Sequence, residues 1–219
     1  MTIQDAYLEY KMKAEKNITN DGLSTDKGRF CMRFNEKQEV YLRNLLQNKG
    51  ADDVRYAEKF LTTGKPISYT SKSKETYNFD LPENFFDLGD IRGIATKDGC
   101  KNQELYLYEV NPENYTEHLR NENTTPSFKW RESLYSLSEN SVKVFYDDFE
   151  VNKILLSYYR YPQKIRLIDE DNPESNFNED FPIEWDDKST HRIIDLMVLD
   201  FDISSANPRM QADAIRLQQ

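Results

Sequence analysis

The chain has 219 residues, long enough for one large domain or two small ones, with 37% hydrophobic, 31% charged and 13% aromatic side chains. The aromatics, 14 Tyr and 12 Phe, exclude a disordered chain, and no window approaches the roughly 18 apolar residues of a membrane span. A net charge of −10 and a pI of about 4.9 exclude nucleic-acid binding through a basic footprint and oppose contact with an anionic membrane.

The opening residues, MTIQDAYLEYKMKAEKN, hold no apolar signal-peptide core. Ile3, Ala6, Tyr7, Tyr10 and Ala14 recur at helical spacing and predict an amphipathic helix over residues 3–16. A second helix is expected to start at Phe34-Asn35-Glu36-Lys37-Gln38, with Asn35 as cap and Gln38 at the reciprocal capping-box position, and to stop at Gly50. A third places Val54, Ala57, Phe60 and Leu61 on one face and ends near Gly64. Residues 1–62 carry 11 basic and 10 acidic side chains, so the net negative charge resides in the rest of the chain.

From Pro66 the period changes. PISYTS, TYNFDL, IRGIAT, QELYLYEV, SVKVFYD and KILLSYYRYP read as strands separated by turn signals such as Lys97-Asp98-Gly99 and Asn111-Pro112. They predict an antiparallel β-sandwich or barrel of about six strands. Residues 112–121 read as a short helix between strands. Residues 169–187, with nine acidic and no basic side chains, read as a solvated connector. The segment STHRIIDLMVLDFDI then predicts a helix capped by Ser189 or Thr190, apolar nearly all round and buried on most sides, with Ile194, Met197 and Phe201 in its core. Pro208 opens a second helix. The expected fold is α+β: a helical bundle from residues 1–64 and 188–219, with the β domain of residues 65–168 inserted between them and joined to the last helices by the acidic connector.

Local chemistry is sparse. Cys31 and Cys100 are expected as free thiols of a reducing compartment. His118 lies in a polar segment, and His191 in the first turn of a helix reads as a side chain bonding a neighbour rather than a catalyst. No glycine-rich phosphate loop and no zinc-ligand spacing is present. The acidic run from Asp169 has Glu174 where a calcium loop needs glycine, and among 39 acidic residues no glycosidase-like pair stands out. No cofactor, metal or enzymatic activity is expected.

The sharpest feature is the run Ile154 to Tyr161. Ile154, Leu156 and Tyr158 alternate with Leu155, Tyr159 and Tyr161, so both faces of the strand are apolar or aromatic, unlike an ordinary surface hairpin. The first set is expected to fill the β core. Leu155, Tyr159, Arg160 and Tyr161 are candidates for a subunit or partner interface, where Tyr and Arg concentrate; an aromatic sugar-binding platform is the alternative.

The order of LPENFFDLGDIRGIA (81–95), TTPSFKWRESLYSLSENSVKVFYD (124–147), ILLSYYRYP (154–162) and FPIEWDDKSTHRIIDLMV (181–198) resembles the head–tail adaptors of short-tailed phages, the tail tubular protein A family, and still more the ring proteins of crAss-like phages. Tyr158, Tyr159 and Pro162, then Phe181, Pro182, His191 and Ile194, match the family's aromatic strand end and the acidic segment that opens its last helix. The resemblance spans about Phe34 to Ile203. It implies a non-enzymatic virion protein, made in the host cytoplasm, that forms a dodecameric connector ring. The portal would lie on one side and the tail or further rings on the other, with genomic DNA passing through unbound and no membrane involved. The rival readings are a carbohydrate-binding β module of a tail or surface protein and a hydrolase with an unrecognised carboxylate pair.

Overall fold

The computed structural model describes residues 1–16, 26–48, 50–111, 113, 117–118, 121, 124–167 and 181–204. They form a mixed α and β structure with four helices and one large curled sheet. The chain divides into two compact units, one of Met1–Ala57 with Pro162–Gln219 and the other of Glu58–Tyr161.

In the helical unit, α1 spans Ile3–Lys16. Thr2 and Asp5 cap it reciprocally: the Asp5 amide donates to Thr2 Oγ1 (3.1 Å) and the Thr2 amide to Asp5 Oδ2 (3.1 Å). Ile3, Ala6, Tyr10 and Ala14 are buried. Helix α2 runs Lys27–Asn48, starting nine residues earlier than the capping signature predicts. Its cap is Asp26, whose Oδ1 accepts from the Arg29 amide at 2.6 Å. Asn35 and Gln38 therefore stand inside the helix, where Phe30, Phe34, Tyr41, Leu42 and Leu45 form its buried stripe. Phe30 packs at 5.5–5.8 Å between ring centroids against Tyr7, Tyr10 and Phe34.

Both interior amides have other work. Asn35 Nδ2 donates to the Ile165 carbonyl (3.1 Å) while its Oδ1 accepts from the Ile165 amide (2.8 Å). Gln38 Nε2 donates to the Gln163 carbonyl (3.2 Å) and its Oε1 accepts from Trp185 Nε1 (3.2 Å). Trp185 is buried edge-on against Tyr41, so the stretch read as a solvated connector ends in a core residue. The part of that connector from residue 169 to 180 lies outside the described residues, as do six of the ten residues of the helix expected at 112–121 and the whole helix expected from Pro208.

The short α3, Ala51–Ala57, and a 3-10 turn, Glu58–Phe60, precede the sheet. Helix α4 spans Asp187–Ser204, and Asp186 rather than Ser189 or Thr190 caps it: Oδ1 accepts from the Ser189 amide (3.3 Å), and the carbonyl accepts from the Thr190 amide (2.9 Å) and hydroxyl (2.8 Å). Ser189 and Thr190 are instead buried in the first turn. The helix is also less enclosed than its composition predicts. Ile193, Ile194, Met197 and Val198 are buried, while His191, Arg192, Asp195 and Asp200 are exposed. The exposed side carries the pairs Lys13–Asp195 (2.6 Å), His191 Nδ1–Glu9 (2.8 Å) and Lys37–Asp200. Burial opposes the charge on Glu9, but the bonds from Lys13 and His191 outweigh it and hold its carboxyl below the usual range. Replacing Asp186 with alanine should lower the stability of the helical unit by about 1 kcal/mol, read as a drop in its thermal midpoint; an unchanged midpoint would remove Asp186 as the cap.

The β unit is one eight-stranded sheet, not the two facing sheets of a sandwich. Its strands are β1 (Leu61–Ser68), β2 (Ser71–Lys72), β3 (Thr76–Asp80), β4 (Phe85–Lys97), β5 (Cys100–Glu109), β6 (Glu132–Leu137), β7 (Ser141–Phe145) and β8 (Glu150–Arg160). Their order is β1-β8-β4-β5-β6-β7-β3-β2. The sheet is antiparallel except at β5–β6, which pair in parallel across the long 110–131 connection. The two ends of this order are one run of chain: β1 pairs with β8 up to Ser68, and from Thr70, whose amide donates to the Asn78 carbonyl at 2.8 Å, the same run follows β3. The sheet thus curls on itself and leaves little open edge.

Strand β1 begins at Leu61, inside the segment read as the end of a third helix. Gly64, read as that helix's stop, is a bulge residue with φ of 62°; with Thr63 it fills the register shift between Thr62 and Lys65, and its amide donates to Ser157 Oγ at 3.0 Å. Gly89 fills a second shift, in β4 between Leu88 and Asp90, where a Cβ would come within 3.1 Å of the Ser157 carbonyl.

Candidate interaction surface

Strand β8 lies between β1 and β4, and its register sorts the doubly apolar run by face. Ile154, Leu156 and Tyr158 are each 0–1% exposed and sit in a core with Tyr77, Phe79, Ile91, Leu105 and Val144. Val151 joins them although it is three residues from Ile154, because Asn152 is an extra residue in the ladder, with Ile94 opposite Lys153 and Ala95 opposite Val151. On the outer face, half-buried Leu155 stands between Pro66 of β1 and Arg92 of β4, and half-buried Tyr159 between Leu61 and Asp87. Burial, with the Glu58 and Asp87 carboxylates, pushes the Tyr159 hydroxyl above its usual pKa.

The end of β8 is clamped. The Tyr158 hydroxyl donates to Asn84 Oδ1 (2.9 Å), and the Tyr161 amide donates to the Asn84 carbonyl (2.9 Å). Tyr161 is 41% exposed and meets the Phe86 ring edge-on at 4.9 Å. The Arg160 guanidinium lies 5.3 Å from the centroid of the buried Phe60 ring and donates to the Tyr161 carbonyl at 3.1 Å. Leu155, Tyr159 and Tyr161 therefore share a face with water on it, while Arg160 is held across the strand end. In the helical unit Ile194 and Met197 are buried; the side chain of Phe201 lies outside the described residues.

A second surface carries more exposed aromatic area, and sequence reasoning missed it. Tyr106 (59% exposed) and Tyr108 (52%) stand two apart on the outer face of β5, opposite in phase to buried Leu105 and inward-packed Leu107. Trp130 (71% exposed) sits in the turn that opens β6, and the Tyr106 amide donates to the carbonyl of its neighbour Arg131 at 2.8 Å. The alternation in QELYLYE was the available signal: Leu inward forces Tyr outward.

Beside these rings a cavity of about 310 Å³ opens, lined by Tyr108, Glu109, Val110, His118, Thr124, Thr125, Glu132, Ser133 and Leu134. The Tyr108 hydroxyl donates to Glu132 Oε1 at 3.4 Å. Burial, with Glu109 and Asp90 nearby, pushes the Tyr135 hydroxyl up to about 12. A second cavity of about 350 Å³ is lined by Lys72, Lys97, Asp98, Tyr146, Asp147, Asp148 and Glu150, among others. Its two lysines pair within it, Lys97 with Asp148 and Lys72 with Glu150.

His118 belongs to the β unit, where it lines the first cavity, and His191 to the helical unit. Cys31 is buried, Cys100 exposed, and neither forms a disulfide. Among the described residues no three His, Cys, Asp or Glu side chains are grouped to hold a metal ion, and no helix is long and apolar enough to cross a membrane. No protein-family model matches the chain, and no curated protein matches it at a significant level.

Proposed function

We propose that the chain is a structural subunit of a phage head–tail connector, an adaptor that oligomerises into a ring between the portal and the tail and surrounds the DNA path. In this reading the N- and C-terminal helices form a bundle with the β unit inserted. The observation that carries it is the outer face of β8, where Leu155, Tyr159 and Tyr161 remain partly exposed beside a strand side that fills the core. Each subunit of a closed ring has two different faces, and an aromatic strand face is what one of them needs. The acidic balance of the chain suits a DNA conduit, since like charge keeps DNA from sticking to the wall.

The test is assembly. The wild-type protein, mixed with its cognate portal and imaged by negative stain, is expected to add a ring. Tyr159→Ala and Tyr161→Ala should leave the free protein's melting temperature near wild type and weaken incorporation, by on the order of 2 kcal/mol for a hot-spot side chain. Normal assembly of both variants, or unfolding of both free chains, would sink the interface assignment. The exposed rings of β5 and the β6 turn favour a second reading, a carbohydrate-binding β module, through an observation independent of β8.

A further inference from the structure

We propose that the outer face of the β5–β6 pair, with Trp130 at its rim, binds a sugar ring of a neutral saccharide. Scattered surface aromatics are ordinary, but here three large rings, each more than half exposed, share one end of one strand pair. Tyr106 and Tyr108 lie about 7 Å apart by strand geometry, and the turn bearing Trp130 is tied to Tyr106 through the Arg131 carbonyl. The faces of such rings are electron-rich and attract the slightly positive C–H face of a pyranose. A sugar also needs acceptors for its hydroxyls at the ring edge. Glu132, held beside the Tyr108 phenol, supplies one. Buried Val110 and Leu134 line the cavity beside it, with Thr124 and Thr125. An apolar floor with a few convergent polar groups is the usual form of a small-molecule site.

The same groups argue against other occupants. Glu104 and Glu132 repel phosphate, and Arg92 on this face is taken up by Asp90 (3.0 Å) and Glu104 (2.9 Å), so a nucleic acid would find rings to stack on but, with Lys129 and Arg131 interrupted by carboxylates, no continuous basic track to hold its backbone. A cationic ligand would compete with Lys129, whose Nζ already lies 5.4 Å from the Trp130 ring centroid. Protein interface cores are depleted in Glu and Lys, whereas here carboxylates and Lys129 interleave with the rings. The saccharide site stands on different residues from the ring interface on β8, so either can fail alone.

The two tryptophans make the test direct, because Trp130 is 71% exposed and Trp185 7%. The intact chain would be titrated with soluble neutral oligosaccharides built from glucose, mannose, galactose and N-acetylglucosamine. Binding would be followed by acrylamide quenching of tryptophan fluorescence and by calorimetry. At least one series is expected to shield Trp130 from acrylamide, and Trp130→Ala and Tyr108→Ala should each weaken calorimetric affinity about tenfold or more, the equivalent of 1.4 kcal/mol. Glu132→Gln, which keeps the shape and loses the charged acceptor, should weaken it several-fold. Tyr106→Ser gives a second exposed position if either alanine variant melts early. No shielding by any saccharide in the panel would overturn the proposal. So would affinity unchanged across the ring variants, or shielding of Trp130 only when a protein partner is added.

Discussion

Leu156→Ala is expected to destabilise the β unit by about 2–5 kcal/mol, and Leu155→Ala, one residue away, by well under half of that. Leu156 is fully buried, opposite Lys65 on β1 and Ile91 on β4, and touches the core from the middle of the sheet. Truncating it leaves a cavity that a curled sheet, bonded on both sides of β8, has little freedom to collapse. Leu155 points outward, where the lost methyl groups are partly in water already. Urea denaturation followed by Trp130, in a Trp185→Phe background, isolates the β unit from the helical one. Equal losses from the two substitutions would show that the strand's faces are not sorted as described.

Asn35→Leu is expected to cost the helical unit on the order of 3 kcal/mol, because the substitution preserves size and removes the side-chain partners of both backbone polar groups of one buried residue. The Ile165 amide and carbonyl have Asn35 as their side-chain partner, and Ile165 is 1% exposed. Gln38→Leu should cost a similar amount, stranding the Gln163 carbonyl and the indole of Trp185. Asn35→Asp, which keeps an acceptor for the amide but offers no donor to the carbonyl, should fall between. Thermal melting read by Trp185 in a Trp130→Phe background measures all three; an Asn35→Leu midpoint shift worth less than about 0.5 kcal/mol would mean that water replaces the side chain and that the clamp is not structural.

Those same two residues show where sequence reading stopped. Asn35 followed three residues later by Gln38 is the grammar of a helix start, and a capping box and an interior pair that grips another segment are locally identical. Only the partner, 130 residues away, tells them apart. Gly64 was misread in the same way, since a left-handed glycine ends a helix and bulges a strand with equal ease. Strand β6 carried too little alternation to be seen: Ser133 and Ser136 are buried beside Leu134 and Tyr135, and Ser133 is tolerated there because its hydroxyl bonds the Phe145 carbonyl. Its parallel pairing with β5 could not be read from either strand alone. By contrast, the stripes of α1 and the phase of β8 were legible, because period alone assigns a face. The acidic composition around Trp185 masked a core residue, since charge runs are averaged over a window and an anchor is a single side chain.

Leu61 and Tyr159 face each other across the β1–β8 ladder, so the chain enters and leaves the β unit at points only about 5 Å apart. To the helical unit, everything between them is equivalent to a tight loop: it adds length to the chain but almost no distance for the chain to close. A cassette with such a narrow neck can be lengthened, trimmed or exchanged without asking the residues on either side to move. Surface chemistry on the β unit is therefore free to diversify while the helical residues keep their sequence.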